Sequence, residues 1–137
     1  MAERVAIALG SNQGEREAML ALARDRIAAL PGTTLLNASA VEETAPLGPV
    51  RQGAFLNQML LVETALEPLA LLGALLDIER AAGRVRTERW GPRTLDCDIV
   101  LYGKREIREP GLRVPHPELA NRDFWKRELL SLHVDIP

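Results

Sequence analysis

Residues 89–100 read Arg89-Trp-Gly-Pro-Arg-Thr-Leu-Asp-Cys-Asp-Ile-Val100, and their apolar end predicts the strand that completes the sheet, over residues 95–102. Successive side chains of a strand point to opposite faces, so Asp96 and Asp98 are expected on one face. Two adjacent carboxylates repel each other unless they share a cation, and ligation by oxygen alone suits Mg²⁺. Taken by itself, the pair is equally compatible with a solvated strand end.

Arginines directly before this strand favour the metal interpretation. Between residues 79 and 93, five arginines stand against two glutamates, which gives a local excess of three positive charges. A guanidinium offers planar, bidentate donors to phosphate oxygens and stays charged at any physiological pH. For any one of these arginines a solvated loop is the simpler explanation. Four of them within residues 84–93, beside a carboxylate pair, indicate Mg-nucleotide chemistry.

The fold is predicted from apolar periodicity and from the positions of glycine and proline. Strands are predicted over residues 5–9, 33–44, 55–64 and 95–102, helices over residues 15–30 and 68–82, and loops over residues 45–53 and 84–94. This order predicts an α+β, ferredoxin-like (βαββαβ) antiparallel sheet with both helices on one face and the other face open. Residues 103–137 form a C-terminal extension with short irregular pieces and a helix around residues 124–132.

Size and composition indicate one domain over residues 1–137, since 47% of the chain is hydrophobic and no boundary is visible. A net charge of −2 argues against nucleic-acid binding, because no general basic field exists. The single cysteine excludes an internal disulfide. The apolar run over residues 5–9 is too short for a signal peptide or a membrane span. We therefore expect a cytoplasmic monomer that does not bind membranes.

Three further patterns are weak when each is taken alone. Gly10-Ser-Asn-Gln-Gly14 resembles a phosphate-binding loop but lacks the Lys-Ser/Thr that would follow, so a strand-to-helix turn capped by Ser11 or Asn12 explains it better. Phe55 and Asn57 share a strand face and would suit a flat heterocycle with donors and acceptors, although a core phenylalanine beside an unrelated asparagine is the simpler explanation. His116 and Arg122 carry no signal by themselves.

Together, these residues resemble those of a known family. Residues 89–100, with Thr44-Ala-Pro-Leu-Gly48, Phe55-Leu-Asn57, Val114-Pro-His116 and Asn121-Arg-Asp-Phe124, are similar to the 6-hydroxymethyl-7,8-dihydropterin pyrophosphokinases of folate biosynthesis. The match is collinear from Gly10 to about Phe124. The resemblance implies a ferredoxin-like fold and transfer of a pyrophosphoryl group from ATP to the pterin hydroxymethyl group, with release of AMP. ATP and hydroxymethyl-dihydropterin would be the small-molecule partners.

The resemblance also implies roles for individual residues. Asp96 and Asp98 would bind two Mg²⁺ ions together with ATP, and Arg84 and Arg93 would complete the catalytic set by stabilising the transferred group. The residues implied to bind ATP are Glu79, Arg86, Trp90, Ile99, His116 and Arg122. The residues implied to form the pterin pocket are Thr44, Leu47, Phe55, Asn57 and Phe124. The loops over residues 45–53 and 84–91 would close over the substrates and exclude water.

The chain departs from the family pattern at a few positions. Phe55 stands where the family often has tyrosine, which retains stacking and loses a hydroxyl. Gly111, Arg113 and Pro117 differ from the residues that usually border the nucleotide. The Asp pair and the arginines with implied catalytic roles are all present.

Two other functions share some of these sequence features. A nucleotidyl-transfer or cyclase-like palm also places paired aspartates on a ferredoxin-like sheet, but this short chain lacks template-binding additions. A regulatory module that only binds a ligand would leave the arginines and the aspartate pair unexplained.

Overall fold

An antiparallel sheet organises the computed structural model, which describes residues 2–45, 53–83 and 95–137. Its strands are β1 (Glu3–Ser11), β2 (Thr33–Ala38), β3 (Glu42–Thr44), β4 (Phe55–Thr64) and β5 (Asp96–Tyr102). The spatial order is β2-β4-β1-β5, with β3 also paired to β4. The helices α1 (Arg16–Ala28) and α2 (Pro68–Ala81) connect β1 to β2 and β4 to β5. This order confirms the predicted α+β, ferredoxin-like arrangement.

The second helix has the boundaries that the sequence predicts. Pro68 occupies the first helical position, where its missing N–H costs no hydrogen bond. Gly83 follows the helix with a φ of 82°, a conformation that glycine adopts without steric penalty.

The strand after α1 and the beginning of α1 both differ from the prediction. The predicted strand over residues 33–44 is divided into β2 and β3, because the chain bends at Ser39 while remaining bonded to β4. The Ser39 N–H donates to the Met59 carbonyl at 2.8 Å, and the Ser39 hydroxyl accepts the Met59 N–H at 2.8 Å. The predicted cap of α1 is wrong, since Glu15 is the N-cap residue and no side chain caps the helix. Asn12 donates instead to the Gly53 carbonyl at 3.2 Å.

One face of the sheet is covered by α1 and α2. Leu20 and Ile27 of α1 and Leu71 and Leu75 of α2 are at most 1% exposed. The helix α1 packs against β1 and β4, and α2 packs against β5. Burial of each leucine stabilises the fold by roughly 1.5–3 kcal/mol. This face is the main core. Among the described residues, only Glu79 and Ile99 of the predicted site lie on it.

The other face is not open, contrary to the prediction. The C-terminal extension consists of a hairpin, β6 (Ile107–Glu109) with β7 (Leu112–Val114), a 3-10 turn (Leu119–Asn121) and the helix α3 (Asp123–Ser131). Trp125 and Leu129 of α3 pack on Ala8 and Met59 of the sheet. These apolar sheet residues would otherwise face water, so a second core forms there. Within the described ranges, no helix is both long and apolar enough to cross a membrane.

Candidate functional site

Strand pairing brings four positions from four strands into one row across the sheet. Gly10 of β1 pairs with Asp96 of β5 on one side and with Asn57 of β4 on the other, and Asn57 pairs in turn with Glu42 of β3. Paired positions point to the same face, so the Asp96 carboxylate and the Asn57 amide lie on the α3 side with only a glycine between them. A Cβ atom at Gly10 would lie 3.5 Å from Asn57 Oδ1 and 3.5 Å from a Phe55 ring carbon. The glycine therefore keeps the space between the two polar groups open.

Asp96 and Asp98 share one face of β5, as predicted, and alternate with residues on the opposite face. Asp96 and Asp98 are half-buried, whereas Cys97 and Ile99 on the opposite face are 6% and 3% exposed. Asp98 follows Asp96 along the strand and pairs with Ala8, another small residue. Two small neighbours on β1 leave room above both carboxylates.

The oxygen donors fit a magnesium ion that is held jointly with a substrate. Among the described residues, no three His, Cys, Asp or Glu side chains converge to form a protein-only metal site. Mg²⁺ is commonly bound by one or two carboxylates while water and substrate phosphates fill the other positions. The Asp96 and Asp98 pair matches that pattern of ligands.

His116 lies beside the carboxylate pair in a fixed orientation. Its Nδ1 accepts the Glu118 N–H at 3.1 Å, so the neutral ring carries its proton on Nε2. That Nε2 lies 3.8 Å from Asp98 Oδ1, longer than a hydrogen bond. The ring also meets Trp125 edge-on, with 4.9 Å between ring centroids. His116 therefore presents an N–H donor next to Asp98.

A cleft of about 410 Å³ opens at β5, at the edge of the sheet. Leu72, Ile99 and Leu112 give it an apolar side, and Asp98 and His116 lie at its border. Its volume is in the range of pockets that hold ligands the size of a nucleoside. The positions that depart from the family pattern also line it, namely Gly111, Arg113 and Pro117.

Glu79 fixes the beginning of β5 from the opposite face. It is 4% exposed, and its Oε2 accepts the Cys97 N–H at 2.8 Å. A buried carboxylate that accepts a backbone N–H restrains both groups. This contact ties α2 to the strand segment between Asp96 and Asp98.

A second polar group lies at the other end of the row. Asn57 is 5% exposed, and its Nδ2 donates to Thr44 Oγ1 at 2.6 Å. Thr44 and Phe55 are paired across β3 and β4 and are both half-buried. With Nδ2 bound to Thr44, Asn57 Oδ1 is the atom that faces the open space beside Gly10.

The strand ends that carry Thr44 and Phe55 are joined by an arginine. Arg16 Nη1 donates to the Ala54 carbonyl at 2.9 Å and lies 3.0 Å from Glu43 Oε2. One guanidinium thus holds the residues that immediately precede Thr44 and Phe55.

The helix α3 supplies the cover of this face. The Arg122 guanidinium carbon lies 4.5 Å from the Trp125 ring centroid, and the Phe124 ring meets the same indole at 6.3 Å. Arg122 Nε is buried and has no hydrogen-bond partner in the described part of the chain. Trp125 is therefore in contact with three residues that the resemblance assigns to substrates, the third being His116.

The structure brings together most of the predicted site. On the α3 side lie Thr44, Phe55, Asn57, Asp96, Asp98, His116, Arg122 and Phe124, while Ile99 lines the cleft and Glu79 lies beneath β5. Five predicted residues lie outside the described ranges, and their roles stay predictions: Leu47, Arg84, Arg86, Trp90 and Arg93.

Two positions in the site were not predicted to belong to it. Gly10 was assigned to a turn, but β1 continues through it to Ser11. Glu128 is a buried acid on α3, four residues after Phe124, and this helical spacing places both side chains on one side of the helix. The spacing of four residues from Phe124 could have indicated from the sequence that Glu128 lies near the site.

Comparisons with known proteins show which family this chain is similar to. Residues 6–134 match the family model for 7,8-dihydro-6-hydroxymethylpterin-pyrophosphokinase. Relatives named 2-amino-4-hydroxy-6-hydroxymethyldihydropteridine pyrophosphokinase occur in several bacteria. The Pseudomonas aeruginosa protein is 43% identical over 136 residues, which cover 99% of this chain and 84% of the relative. The Haemophilus influenzae protein is 44% identical over 130 residues, which cover 95% and 81%. The Bacillus subtilis protein is 42% identical over 118 residues, which cover 86% and 71%.

Proposed function

Because the chain belongs to the 7,8-dihydro-6-hydroxymethylpterin-pyrophosphokinase family, we propose that it transfers the pyrophosphoryl group of ATP to 6-hydroxymethyl-7,8-dihydropterin and releases AMP, a step of folate biosynthesis. The observation that carries the proposal is the row formed by Asp96, Gly10 and Asn57. This row places two carboxylates that can bind a metal ion and an amide that can bind a heterocycle on one sheet face, with open space between them. Two different substrates can therefore meet there.

The nucleotide occupies the cleft at β5 in this proposal. Leu72, Ile99 and Leu112 contact the apolar faces of the adenosine moiety. The phosphates extend towards Asp98, where the Nε2–H of His116 donates a hydrogen bond to a phosphate oxygen. The distance of 3.8 Å between His116 Nε2 and Asp98 Oδ1 leaves the His116 N–H available to the phosphate and the Asp98 carboxylate available to Mg²⁺. Arg122, Arg86, Trp90 and Glu79 complete the proposed ATP site.

The two aspartates hold Mg²⁺ together with ATP. When bound, two Mg²⁺ ions supply positive charge that offsets the charge on the transferred group and on the departing AMP. Asp96 and Asp98 would hold these ions and in that way would orient the phosphates. The backbone of β5 fixes the distance between the two aspartates, and the Glu79 contact holds that strand in place.

The pterin lies at the Asn57 end of the row. Phe55 and Phe124 contact its two faces, Asn57 Oδ1 accepts a hydrogen bond from its edge, and Thr44 and Leu47 complete the pocket. Its hydroxymethyl oxygen attacks the β-phosphorus of ATP, and the bond from that phosphorus to the oxygen of AMP breaks. Arg84 and Arg93 stabilise the transferred group. Positioning of the two substrates supplies most of the catalysis.

We propose a cytoplasmic monomer as the working form. The residues of the proposed site that the structure describes lie together within a single copy of the chain. The chain also has a single cysteine, Cys97, which is consistent with a reducing compartment.

A product assay tests the proposed function. The protein is incubated with ATP, 6-hydroxymethyl-7,8-dihydropterin and Mg²⁺, and the nucleotide products are separated. Formation of AMP and pterin pyrophosphate in equal amounts is expected, and removal of the metal with EDTA should stop the reaction. ADP, pyrophosphate release with a cyclic nucleotide, or no turnover would each contradict the proposal.

A further inference from the structure

A buried acid on α3 stands next to a second acid on β3. Glu128 is an acid, yet it is only 4% exposed and lies among apolar residues such as Trp125 and Leu129. An ionised carboxylate only accepts hydrogen bonds, and in that form neither oxygen of Glu128 has a partner in the described part of the chain. The Glu42 carboxyl is the adjacent group with which a protonated Glu128 forms a hydrogen bond. Two buried oxygens without a partner favour the protonated form of Glu128, which can donate to the neighbouring carboxyl group.

The charge balance among Glu42, Arg127 and Glu128 also favours a protonated Glu128. Arg127 Nη2 lies 3.2 Å from Glu42 Oε1, so Glu42 already has a cation as its partner. The charged groups that act on Glu128 are Glu42 from β3 and Arg127 from α3. The adjoining part of β4 contributes only the uncharged side chains of Asn57 and Met59. A neutral Glu128 leaves the cluster without net charge, whereas an ionised one would add an unbalanced buried charge.

Burial raises the pKa of the Glu128 carboxyl to about 9, and the adjacent Glu42 carboxyl adds to this increase. The Arg127 guanidinium acts in the opposite direction and is the smaller influence. Glu128 therefore carries its proton at neutral pH and loses it in the alkaline range.

The carboxyl pair joins the two structural elements that hold the proposed pterin pocket. Phe124 and Glu128 are one helical turn apart on α3, on the same side of the helix. Glu42 pairs with Asn57 across β3 and β4 and precedes Thr44 by two residues, so it shares a sheet face with both. A hydrogen bond from Glu128 to Glu42 consequently fixes the Phe124 side of α3 relative to Asn57 and Thr44.

We propose that Glu128 is a positioning residue for the pterin, acting as a neutral acid that donates its proton to Glu42 and so holds α3 against β3. The inference rests on the proposed function, because it presupposes that Phe124 and Asn57 bind the pterin. Ionisation of Glu128 removes the donor and places two negative carboxyl groups side by side. The pterin site then loosens, while the nucleotide cleft at β5 is unaffected.

Three variants test this inference through the KM of each substrate between pH 7 and pH 10. Glu128→Gln keeps a donor for Glu42 at every pH, Glu128→Leu has no donor, and Glu63→Gln is the control at an exposed position on β4. We expect the pterin KM of the unmodified protein to rise about tenfold across this range, the size of one lost buried hydrogen bond. Glu128→Gln should lack that rise, and Glu128→Leu should show the raised value already at pH 7. The KM for ATP should change much less than the pterin KM in all of them, because the apolar lining of the nucleotide cleft comes from α2, β5 and β7.

Three results would overturn the inference. The first is an equal alkaline rise in the unmodified protein and in Glu128→Gln, because that rise would belong to the substrate. The second is a raised pterin KM for Glu128→Gln at pH 7. The third is an equal weakening of both substrates in Glu128→Leu, which would indicate a purely structural role. If Glu128→Leu does not fold, the alkaline rise of the pterin KM in Glu128→Gln and in the unmodified protein still tests the inference. Failure of the unmodified protein to form AMP at pH 7 would instead contradict the proposed function.

Discussion

The replacement Gly10→Ala should stabilise the protein and impair it at once. Gly10 lies inside β1 without a positive φ, and its added Cβ would meet its neighbours only at ordinary contact distances of 3.5 Å. Such a replacement stabilises a fold by roughly 0.4–1 kcal/mol, because the unfolded chain loses conformational freedom. For a chain of this size that corresponds to an increase in Tm of roughly 1–4 °C. Thermal unfolding monitored by circular dichroism measures it.

The same methyl group would occupy the space that is proposed for the pterin. It would sit 3.5 Å from Asn57 Oδ1, the acceptor that is not bound to Thr44. Loss of one hydrogen bond raises KM about tenfold, and displacement of the ring by about 1 Å lowers the rate by up to about a hundredfold. We therefore expect kcat/KM for the pterin to fall between about tenfold and a thousandfold, with the Kd for ATP unchanged.

Gly73→Ala is the matched control for this experiment. Gly73 lies in the exposed middle of α2, where an added Cβ meets nothing within 4 Å. Alanine should stabilise that helix by about 1 kcal/mol and leave both substrates unaffected. If Gly10→Ala keeps the pterin kcat/KM within twofold of the control, the pterin does not lie over Gly10 and the proposed arrangement of the row is wrong.

Three other predictions concern the carboxylates and the arginines. Asp98→Ala should reduce turnover at least about a thousandfold because a shared metal ligand is lost, and a steady-state assay that finds near-normal activity would exclude Asp98 as a ligand. Arg84→Ala should lower kcat far more than it weakens ATP binding, and a calorimetric titration that shows only an affinity loss would assign this residue to ground-state binding. The free energy of unfolding should fall as the pH rises from about 5 to 9, because folding raises the pKa of Glu128 to about 9 and the native state holds its proton more tightly than the unfolded chain. Urea titrations at several pH values should show a shallower decline for Glu128→Gln, and parallel slopes would argue against a protonated Glu128.

Local patterns predicted the parts of the fold that depend on neighbouring residues in the sequence. The alternation of Asp96 and Asp98 with Cys97 follows from the pleat of any strand, so it could be read without knowing what lies beside β5. The boundaries of α2 follow from proline and glycine, whose backbone constraints act within the segment itself. The order of elements then limited the topology to few choices.

Other features depend on contacts between distant segments and could not be predicted. The sequence around Trp125 predicts a helix but does not indicate which surface that helix covers. The division of β2 from β3 depends on the Ser39 contacts with Met59, and the proton on Glu128 depends on Glu42, which lies on another element. Gly10 was assigned to a turn because glycine followed by serine and asparagine is typical of turns, whereas pairing with both β4 and β5 keeps it in the sheet.

The two faces of the sheet should tolerate sequence change to different degrees during evolution. On the α1 and α2 face, apolar residues of similar volume can replace one another at a cost in stability alone. On the opposite face, the indole of Trp125 contacts His116, Arg122 and Phe124. In the proposed arrangement, a change of its shape would therefore alter both stability and the binding of both substrates. Variation should accumulate on the helical face, and stabilised forms of the enzyme that keep full activity should be sought there.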